Sequence, residues 1–184
     1  ALAVMGDKTG EDDLIAALKG SQWDKGWDFK GMAQFGRCAS LQDSYIFALG
    51  ICKSEKAVAT LVEKAKMLEQ DDAYSHFRAV SLALEKIGNQ SAAPVLASLL
   101  DKPGIAGHAV ARGEIPVIEG YTNKAADRER TLCLREITLA RGLYRLGDVG
   151  GKGRHVLESY ASDPRKVYAN YCVSILRRRA FSLR

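Results

Sequence analysis

The chain has 184 residues, of which 47% are hydrophobic and 27% charged, with a formal net charge of +5 and an isoelectric point near 9.0. A chain of this length buries roughly 70% of its unfolded surface, so it needs neither a disulfide nor a metal to fold. Basic and acidic residues are interspersed, which favours a mixed solvated surface and argues against nucleic-acid binding. No apolar run approaches the ~20 residues that cross a bilayer.

The start of the chain indicates a fragment or a processed chain. The sequence begins at Ala1 rather than at Met, and Ala1–Met5 is too short to be a signal peptide. We therefore expect a single domain over residues 1–184 that belongs to a larger protein. On this interpretation an active domain would lie outside the chain.

The N-terminal part predicts a short helix and then an irregular segment. Glu11, Asp12 and Asp13 suit a helix start, because carboxylates stabilise the free N–H groups there. Residues 20–36 combine five large apolar side chains with four glycines. Structureless loops longer than about 12–15 residues are uncommon unless they are functional or disordered, so we expect specific contacts here.

A pattern of helix, polar turn and helix then repeats. Ala48–Leu49 and Ala83–Leu84 each precede a polar turn and a second apolar helix, and they are 35 residues apart. A third copy begins near Gly142–Leu143. Apolar residues recur at helical spacing, as in Ala92, Val95, Leu96, Leu99 and Leu100. Such pairs bury their faces by stacking, so the sequence predicts an all-α fold, an α-α superhelix of HEAT- or armadillo-like helical pairs.

Capping residues support the predicted helices. Ser54 and Ser91 are candidate N-caps of the second helices, and with Ser91 as cap Pro94 falls in the first turn, where its missing N–H costs nothing. Asp163 followed by proline opens the last helix. The helix over 128–146 is apolar on two faces, which predicts burial between neighbours.

A second irregular segment, residues 104–126, contains glycine and proline and separates the second pair from the third. The three histidines, His76, His108 and His155, are too scattered for a metal site. His108 lies in the insertion and is a candidate ligand contact, whereas His76 is predicted to be a partly exposed polar residue.

The remaining motifs that could carry a function are interpreted as structural features. The glycine-rich residues 147–153 precede a helix but lack the spacing of a phosphate-binding loop, and they align with the turn of the preceding repeat. No Gly-x-Gly-x-x-Gly motif follows a strand, so this segment forms no ordinary dinucleotide site. The cysteines lie far apart among apolar neighbours and are predicted to be reduced core residues: Cys38, Cys52, Cys133 and Cys172.

The large apolar residues of the first irregular segment allow two interpretations. They are Trp23, Trp27, Phe29, Met32 and Phe35. Aromatic anchors dominate many interfaces, so these residues are candidates for a docking surface. Terminal repeats also need a cover, so the same side chains suit a cap on the first repeat. The sequence leaves both interpretations open.

Four segments carry a resemblance to a known family: Trp23–Gly36, Ser75–Glu85, Lys102–Ala109 and Arg141–Asp148. Together they resemble the helical HEAT-like region of certain bacterial FAD-dependent oxidoreductases, over about residues 11–176. The resemblance implies a parent enzyme in which a flavin domain precedes this region and binds FAD. It carries no catalytic, cofactor-binding or metal residue onto this chain, and it implies a bacterial cytoplasmic or periplasmic protein.

Several functions are compatible with these patterns. The leading hypothesis is a non-catalytic helical repeat module of an FAD-dependent oxidoreductase that packs on the flavin domain or on another protein subunit. The alternative is a stand-alone HEAT scaffold that binds a protein or peptide. Nucleic-acid binding requires a continuous basic stripe, which the interspersed charge disfavours, and a lyase-type repeat has no residue set to support it.

Overall fold

The structure is a computed structural model that describes residues 2–26, 40–111 and 123–182, with side chains over 3–26, 40–111 and 127–177. The described part is all-helical, which confirms the predicted all-α class. The α-helices are α1 (Glu11–Leu18), α2 (Leu41–Ile51), α3 (Val58–Lys66), α4 (Tyr74–Ile87), α5 (Ala93–Asp101), α6 (Asn123–Arg145), α7 (Lys152–Ala161) and α8 (Lys166–Ser182). Short 3-10 turns are Leu2–Met5, Glu55–Ala57, Gln90–Ala92 and Val149–Gly151.

The helices pack in an order that follows the chain. Helix α2 packs on α4 and α4 on α6, so these three form a row. Helix α3 contacts α4 and α5, α5 contacts α6, and α7 packs against both α6 and α8. Leu61, Phe77, Leu96 and Leu143 are among the fully buried side chains that fill the space between the helices. None of the helices in the described ranges is long and apolar enough to cross a membrane.

Two close helix contacts depend on glycine. A Cβ on Gly50 of α2 would lie 2.5 Å from the Cα of Ala83 on α4. Gly142 of α6 faces Ser81 of α4, whose hydroxyl donates to the carbonyl of Thr138 at 2.8 Å. Small residues therefore let α4 approach both neighbours closely.

Helix α6 is longer than the sequence predicted. It begins at Asn123 rather than at 128, so the insertion that started at 104 ends earlier. Its two apolar faces are both buried, because α4 and α5 pack on one side and α7 on the other. Cys133, Ile137, Leu139, Ala140, Leu143 and Leu146 are all in the core.

The caps differ in part from prediction. Asn89, not Ser91, caps the second repeat, and its side chain accepts from the Ser91 N–H at 3.0 Å. Ser54 is buried and makes no side-chain capping bond to its helix. Pro94 lies in the first turn of α5 as predicted. Asp163 Oδ1 accepts from the Arg165 N–H at 2.8 Å, just before α8.

Candidate functional site

Trp23 is the centre of a polar cluster between α2, α3 and α4. Its ring stacks on His76, with centroids 4.3 Å apart and planes at 25°. The amine of Lys64 lies 4.0 Å from the centroid of the Trp23 ring, a cation–π contact. We call Trp23, Asp24, Asp43, Lys64 and His76 the Trp23 cluster.

Lys64 is only 2% exposed although it carries an amine. Its Nζ donates to the Ser21 carbonyl at 3.2 Å and to Gln42 Oε1 at 2.5 Å. Burial lowers the pKa of Lys64, and the negative charges of Asp24 and Asp43 oppose that decrease. The buried amine thus ties the residues after α1 to α2 and α3.

His76 is 2% exposed and not the partly exposed residue that the sequence predicted. Its Nδ1 lies 2.7 Å from Asp43 Oδ1, and its Nε2 lies 3.0 Å from the carbonyl oxygen of Asp24. A carboxylate oxygen and a carbonyl oxygen therefore face the two ring nitrogens, so both edges of the imidazole are engaged. Asp43 is 33 residues away in sequence and on another helix, so local pattern gave no sign of this pairing.

Asp24 joins the two described ends around residues 27–39. Its Oδ1 accepts from Ser40 Oγ at 2.5 Å and its Oδ2 from the Leu41 N–H at 2.8 Å. The same Ser40 hydroxyl caps α2 by accepting from the Asp43 N–H at 2.9 Å. The chain before residue 27 is therefore bound directly to the start of α2.

The predicted aromatic residues divide between described and undescribed parts of the chain. Trp23 is half-buried and packs inwards against the core. Its Nε1 is buried and has no hydrogen-bond partner among the described residues. Trp27, Phe29, Met32 and Phe35 lie outside the described residues.

A second cluster surrounds Glu136 of α6, which is 3% exposed. Its Oε1 accepts from the Gly107 N–H at 3.0 Å, and its Oε2 accepts from the His108 N–H at 3.0 Å and the Tyr160 hydroxyl at 2.8 Å. Burial and the nearby negative charge of Glu136 raise the pKa of Tyr160. One buried carboxylate thus holds the main chain of the insertion.

Asp163 and Arg165 hold the next residues of the insertion. Asp163 Oδ2 accepts from the Val110 N–H at 2.9 Å, and Arg165 Nη2 donates to the His108 carbonyl at 2.7 Å. Burial alone would raise the pKa of Asp163, but hydrogen bonds from Arg165 and Val110 bring it below its ordinary value. Arg165 also pairs with Glu129, so four charged side chains anchor this stretch. We call Glu129, Arg135, Glu136, Tyr160, Asp163 and Arg165 the Glu136 cluster.

Arg135 connects the insertion to the turn before α4. Its Nη1 donates to the Gln70 carbonyl at 2.5 Å and its Nη2 to the Gly104 carbonyl at 2.8 Å. The guanidinium also lies 5.0 Å from the Phe77 ring. Burial lowers the pKa of Arg135. The first residues of the insertion are therefore fixed against the connection between α3 and α4.

His108, the predicted ligand contact, is half-buried. Both its N–H and its carbonyl are bound, by Glu136 and Arg165 respectively. Its Nε2 lies 3.2 Å from the Gly104 carbonyl oxygen. Its role as a ligand contact stays a prediction.

Described residues of both irregular segments are linked to the stretch from Gln70 to His76, at the start of α4. Gly26 lies against Ser75 and His76, since a Cβ there would be 2.7 Å from Ser75 Oγ. The Gln70 carbonyl, a few residues earlier, accepts from Arg135, which also donates to the Gly104 carbonyl. The turn that leads into α4 is therefore linked to both segments.

Sequence reasoning missed the charged residues that build both clusters. Lys64, Arg135, Glu136 and Arg165 were read as ordinary surface charges. One signal was available, because Arg135 and Glu136 interrupt a helix that is apolar on two faces. Such a helix has little solvated surface, so charges within it need buried partners.

In the part of the chain that the structure describes, neither the cysteines nor the other residue types that bind metals form a metal site. No group of three or more His, Cys, Asp or Glu side chains there could hold a metal ion. Cys52, Cys133 and Cys172 are buried and free, as predicted, and Cys38 lies outside the described residues. Burial raises the pKa of Cys172 to about 12.

The glycine-rich loop at 147–153 does not fit a flavin pyrophosphate. Asp148 Oδ1 accepts from the Gly153 N–H at 2.7 Å, and Asp148 Oδ2 accepts from the Arg154 N–H at 3.2 Å. A phosphate would need those N–H groups, and the carboxylate both occupies them and repels an anion. The geometry is that of a turn between α6 and α7.

A surface groove of about 740 Å³ lies over α3, between the end of α1 and Asn89. Leu18, Val62 and Met67 supply apolar lining, and Lys56 and Glu63 give the rim charges of both signs. The groove therefore offers no charge preference for a ligand.

Comparison with models of known protein families, with curated proteins and with solved structures finds no match for the chain.

Proposed function

We propose that this chain is a non-catalytic, HEAT-like helical repeat module of an FAD-dependent oxidoreductase, and that it packs against the flavin domain or another subunit. One observation carries the packing role: buried charged clusters anchor the described residues of both irregular segments near the start of α4. Gly26 on one side and Gly104 on the other contact the residues around Gln70 and Ser75.

Burying a charged side chain costs free energy, so the position of each buried charge calls for an explanation. Burying Lys64, Arg135 or Glu136 requires hydrogen bonds that offset several kcal/mol of lost hydration per ion. A plain covering segment needs only apolar contacts. The clusters instead fix particular main-chain groups, such as the N–H groups of Gly107 and His108. A main chain that is already fixed loses less conformational entropy when a partner binds, so this preorganisation favours specific docking.

The HEAT-like part of the proposal is supported by the order of packing. Helices from successive pairs in the sequence contact one another: α2, α4 and α6 pack in chain order, and α3 contacts α5. Stacked pairs of this kind are the basis of helical repeat proteins. The flavin assignment rests on the resemblance alone, which implies that FAD binds in a flavin domain that precedes this region.

The flavin assignment is tested on the full-length gene product. The protein is purified and its visible absorption is recorded, alongside residues 1–184 expressed alone. We expect a flavin spectrum from the full-length protein and none from the isolated chain. A colourless full-length protein, given FAD during expression, would remove the oxidoreductase assignment and leave an interaction module.

The docking role is tested with the chain and the remainder of its parent as separate polypeptides. Association is measured by titration calorimetry for the unchanged chain and for Trp27→Ala, with the exposed His155→Ala as the control. We expect at least about tenfold weaker association for Trp27→Ala, as for an interface anchor. Equal affinities for the two variants would move the interface away from this segment.

A second candidate is a stand-alone scaffold that binds a protein or peptide. One observation favours it, namely a row of partly exposed arginine and tyrosine side chains along α4, α6 and α8. This candidate does not require a flavin domain.

A further inference from the structure

Helices α2, α4, α6 and α8 present a surface of arginine and aromatic side chains. We call it the arginine–tyrosine face, and its principal members are Phe47, Tyr74, Arg78, Arg141, Arg145 and Tyr171. It is separate from the Trp23 cluster and the Glu136 cluster, neither of which includes these residues.

Contacts cross each boundary between neighbouring helices of the face. The Arg78 guanidinium lies 5.3 Å from the ring centre of Phe47, which joins α4 to α2. The Tyr74 hydroxyl lies 3.4 Å from Thr138 Oγ1, which joins α4 to α6. Arg141 Nη1 donates to the Tyr171 hydroxyl at 2.9 Å, which joins α6 to α8. These contacts link the four helices that carry the face.

Apolar side chains stand exposed on α2 and α8, the first and last helices of the face in chain order. Ile51, one turn after Phe47 on α2, is 39% exposed. Val167 and Tyr171, one turn apart on α8, are 71% and 37% exposed. The charged centre is thus flanked by surface that gains from being covered.

The centre of the face carries an excess of positive charge. Arg141 and Arg145 both pair with Glu85, whose side chain is 10% exposed. Arg78 and Arg130 lie near the Tyr74 phenol, where their charges oppose the rise in the Tyr74 pKa that burial causes. Asp127 lies one turn before Arg130 on α6 and adds a further carboxylate to this helix. The four arginines thus outnumber the carboxylates of Glu85 and Asp127.

We propose that the arginine–tyrosine face binds an acidic protein segment that also carries apolar side chains. Arginine and aromatic residues are enriched at protein interfaces, and a guanidinium matches a carboxylate with two parallel hydrogen bonds. The acidic side chains would meet Arg78 and Arg145, and the apolar ones would cover Ile51 and Tyr171. This assignment is independent of the flavin domain.

A nucleic acid fits this face less well. Its phosphates carry a dense row of negative charge, and Glu85 and Asp127 would repel it from within the surface. Ile51 and Val167 are aliphatic and offer no ring on which a base can stack. A peptide can place its carboxylates only where the arginines are.

The test uses a fluorescein-labelled copolymer of glutamate and tyrosine, whose anisotropy is followed on titration with residues 1–184. The double variant Arg78→Ala with Arg145→Ala is compared with Arg154→Ala and Lys66→Ala. The control pair removes the same charge from exposed side chains, 66% and 58% exposed, outside the face. We expect the face variant to bind at least about tenfold more weakly, and the control to change by less than about twofold.

Two further measurements keep the outcome decisive. Circular dichroism melting checks that the alanine variant folds, and Arg78→Lys with Arg145→Lys, which keeps the charge, should retain part of the binding. Absence of copolymer binding, equal loss in the control pair, or tighter binding of an oligothymidylate of equal charge would each overturn the proposal. The flavin measurement on the full-length protein is unaffected by any of these results.

Discussion

The imidazole of His76 stacks on the indole of Trp23 at 4.3 Å while its two nitrogens contact Asp43 and the Asp24 carbonyl. The face of the His76 ring stacks on Trp23, and its edge contacts the Asp24 carbonyl. One buried side chain therefore holds the described part of the 20–36 segment in two ways. Because the partners come from α2 and from the residues after α1, His76 joins three parts of the chain.

Replacing His76 with phenylalanine should keep the stacking and remove both hydrogen bonds. Asp43 would then be a buried carboxylate without its hydrogen bond to His76, and its Oδ2 already has no partner among the described residues. We expect a loss of about 1–3 kcal/mol in the free energy of unfolding, measured by urea denaturation. His155→Phe, at an exposed position, should change it by less than about 0.5 kcal/mol. Similar losses in the two variants would contradict a structural hydrogen bond at His76.

Gly26→Ala tests how closely the first irregular segment docks. The added methyl would lie 2.7 Å from Ser75 Oγ and 3.0 Å from His76 Cε1. We expect about 1–3 kcal/mol of destabilisation from this overlap, together with a change in tryptophan fluorescence. Gly20→Ala serves as the control, because a Cβ there meets nothing within 4 Å although φ is +66°. It should cost only the backbone strain, about 1 kcal/mol, and leave the fluorescence unchanged.

Glu136→Gln should loosen one end of the insertion without reshaping α6. The amide replaces one of the two carboxylate oxygens with an NH₂ group, so the N–H of Gly107 or of His108 that faced this oxygen loses its acceptor. We expect faster hydrogen exchange at one or both of these amides, measured by NMR. The Val110 amide, which Asp163 binds, should keep its protection. Uniform acceleration at all three amides would indicate general unfolding and count against the specific anchor.

Asp163 should make stability depend on acidity. Hydrogen bonds from Arg165 and Val110 lower its folded pKa, so its contribution is present above the ordinary aspartate pKa of about 3.9 and is lost as the pH falls through the folded value. The free energy of unfolding of Asp163→Asn should therefore be lower than that of the unchanged protein at pH 7, by about 1–3 kcal/mol. The gap should narrow under acid conditions, with the exposed Asp12→Asn showing no such pattern.

The spacing of apolar residues was sufficient to predict the helices, but it did not predict which polar side chains form hydrogen bonds at their ends. The apolar residues from Ala92 to Leu100 repeat at helical intervals, and α5 forms there because each of them can be buried on one side. The cap of the same repeat was assigned to Ser91 instead of Asn89. Both are polar and lie two residues apart, and only the backbone direction decides which side chain can accept the free N–H.

The sequence predicted where the candidate site lies better than it predicted which residues form it. The irregular segments at 20–36 and 104–126 were identified because glycine and aromatic residues break the helical spacing. Their anchors could not be assigned, since Lys64 and Arg165 meet partners that are 43 and 57 residues away. A charged residue in a helical sequence is normally solvated, and its burial becomes visible only when the helices are packed.

The bonds from Asp24 to Ser40 and to the Leu41 N–H join the chain on the two sides of residues 27–39. Asp24, Ser40 and Leu41 thereby fix the chain after α1 to the start of α2. Because loop-closure entropy grows slowly with loop length, the entropic cost of this cross-link depends only weakly on the number of residues between Asp24 and Ser40.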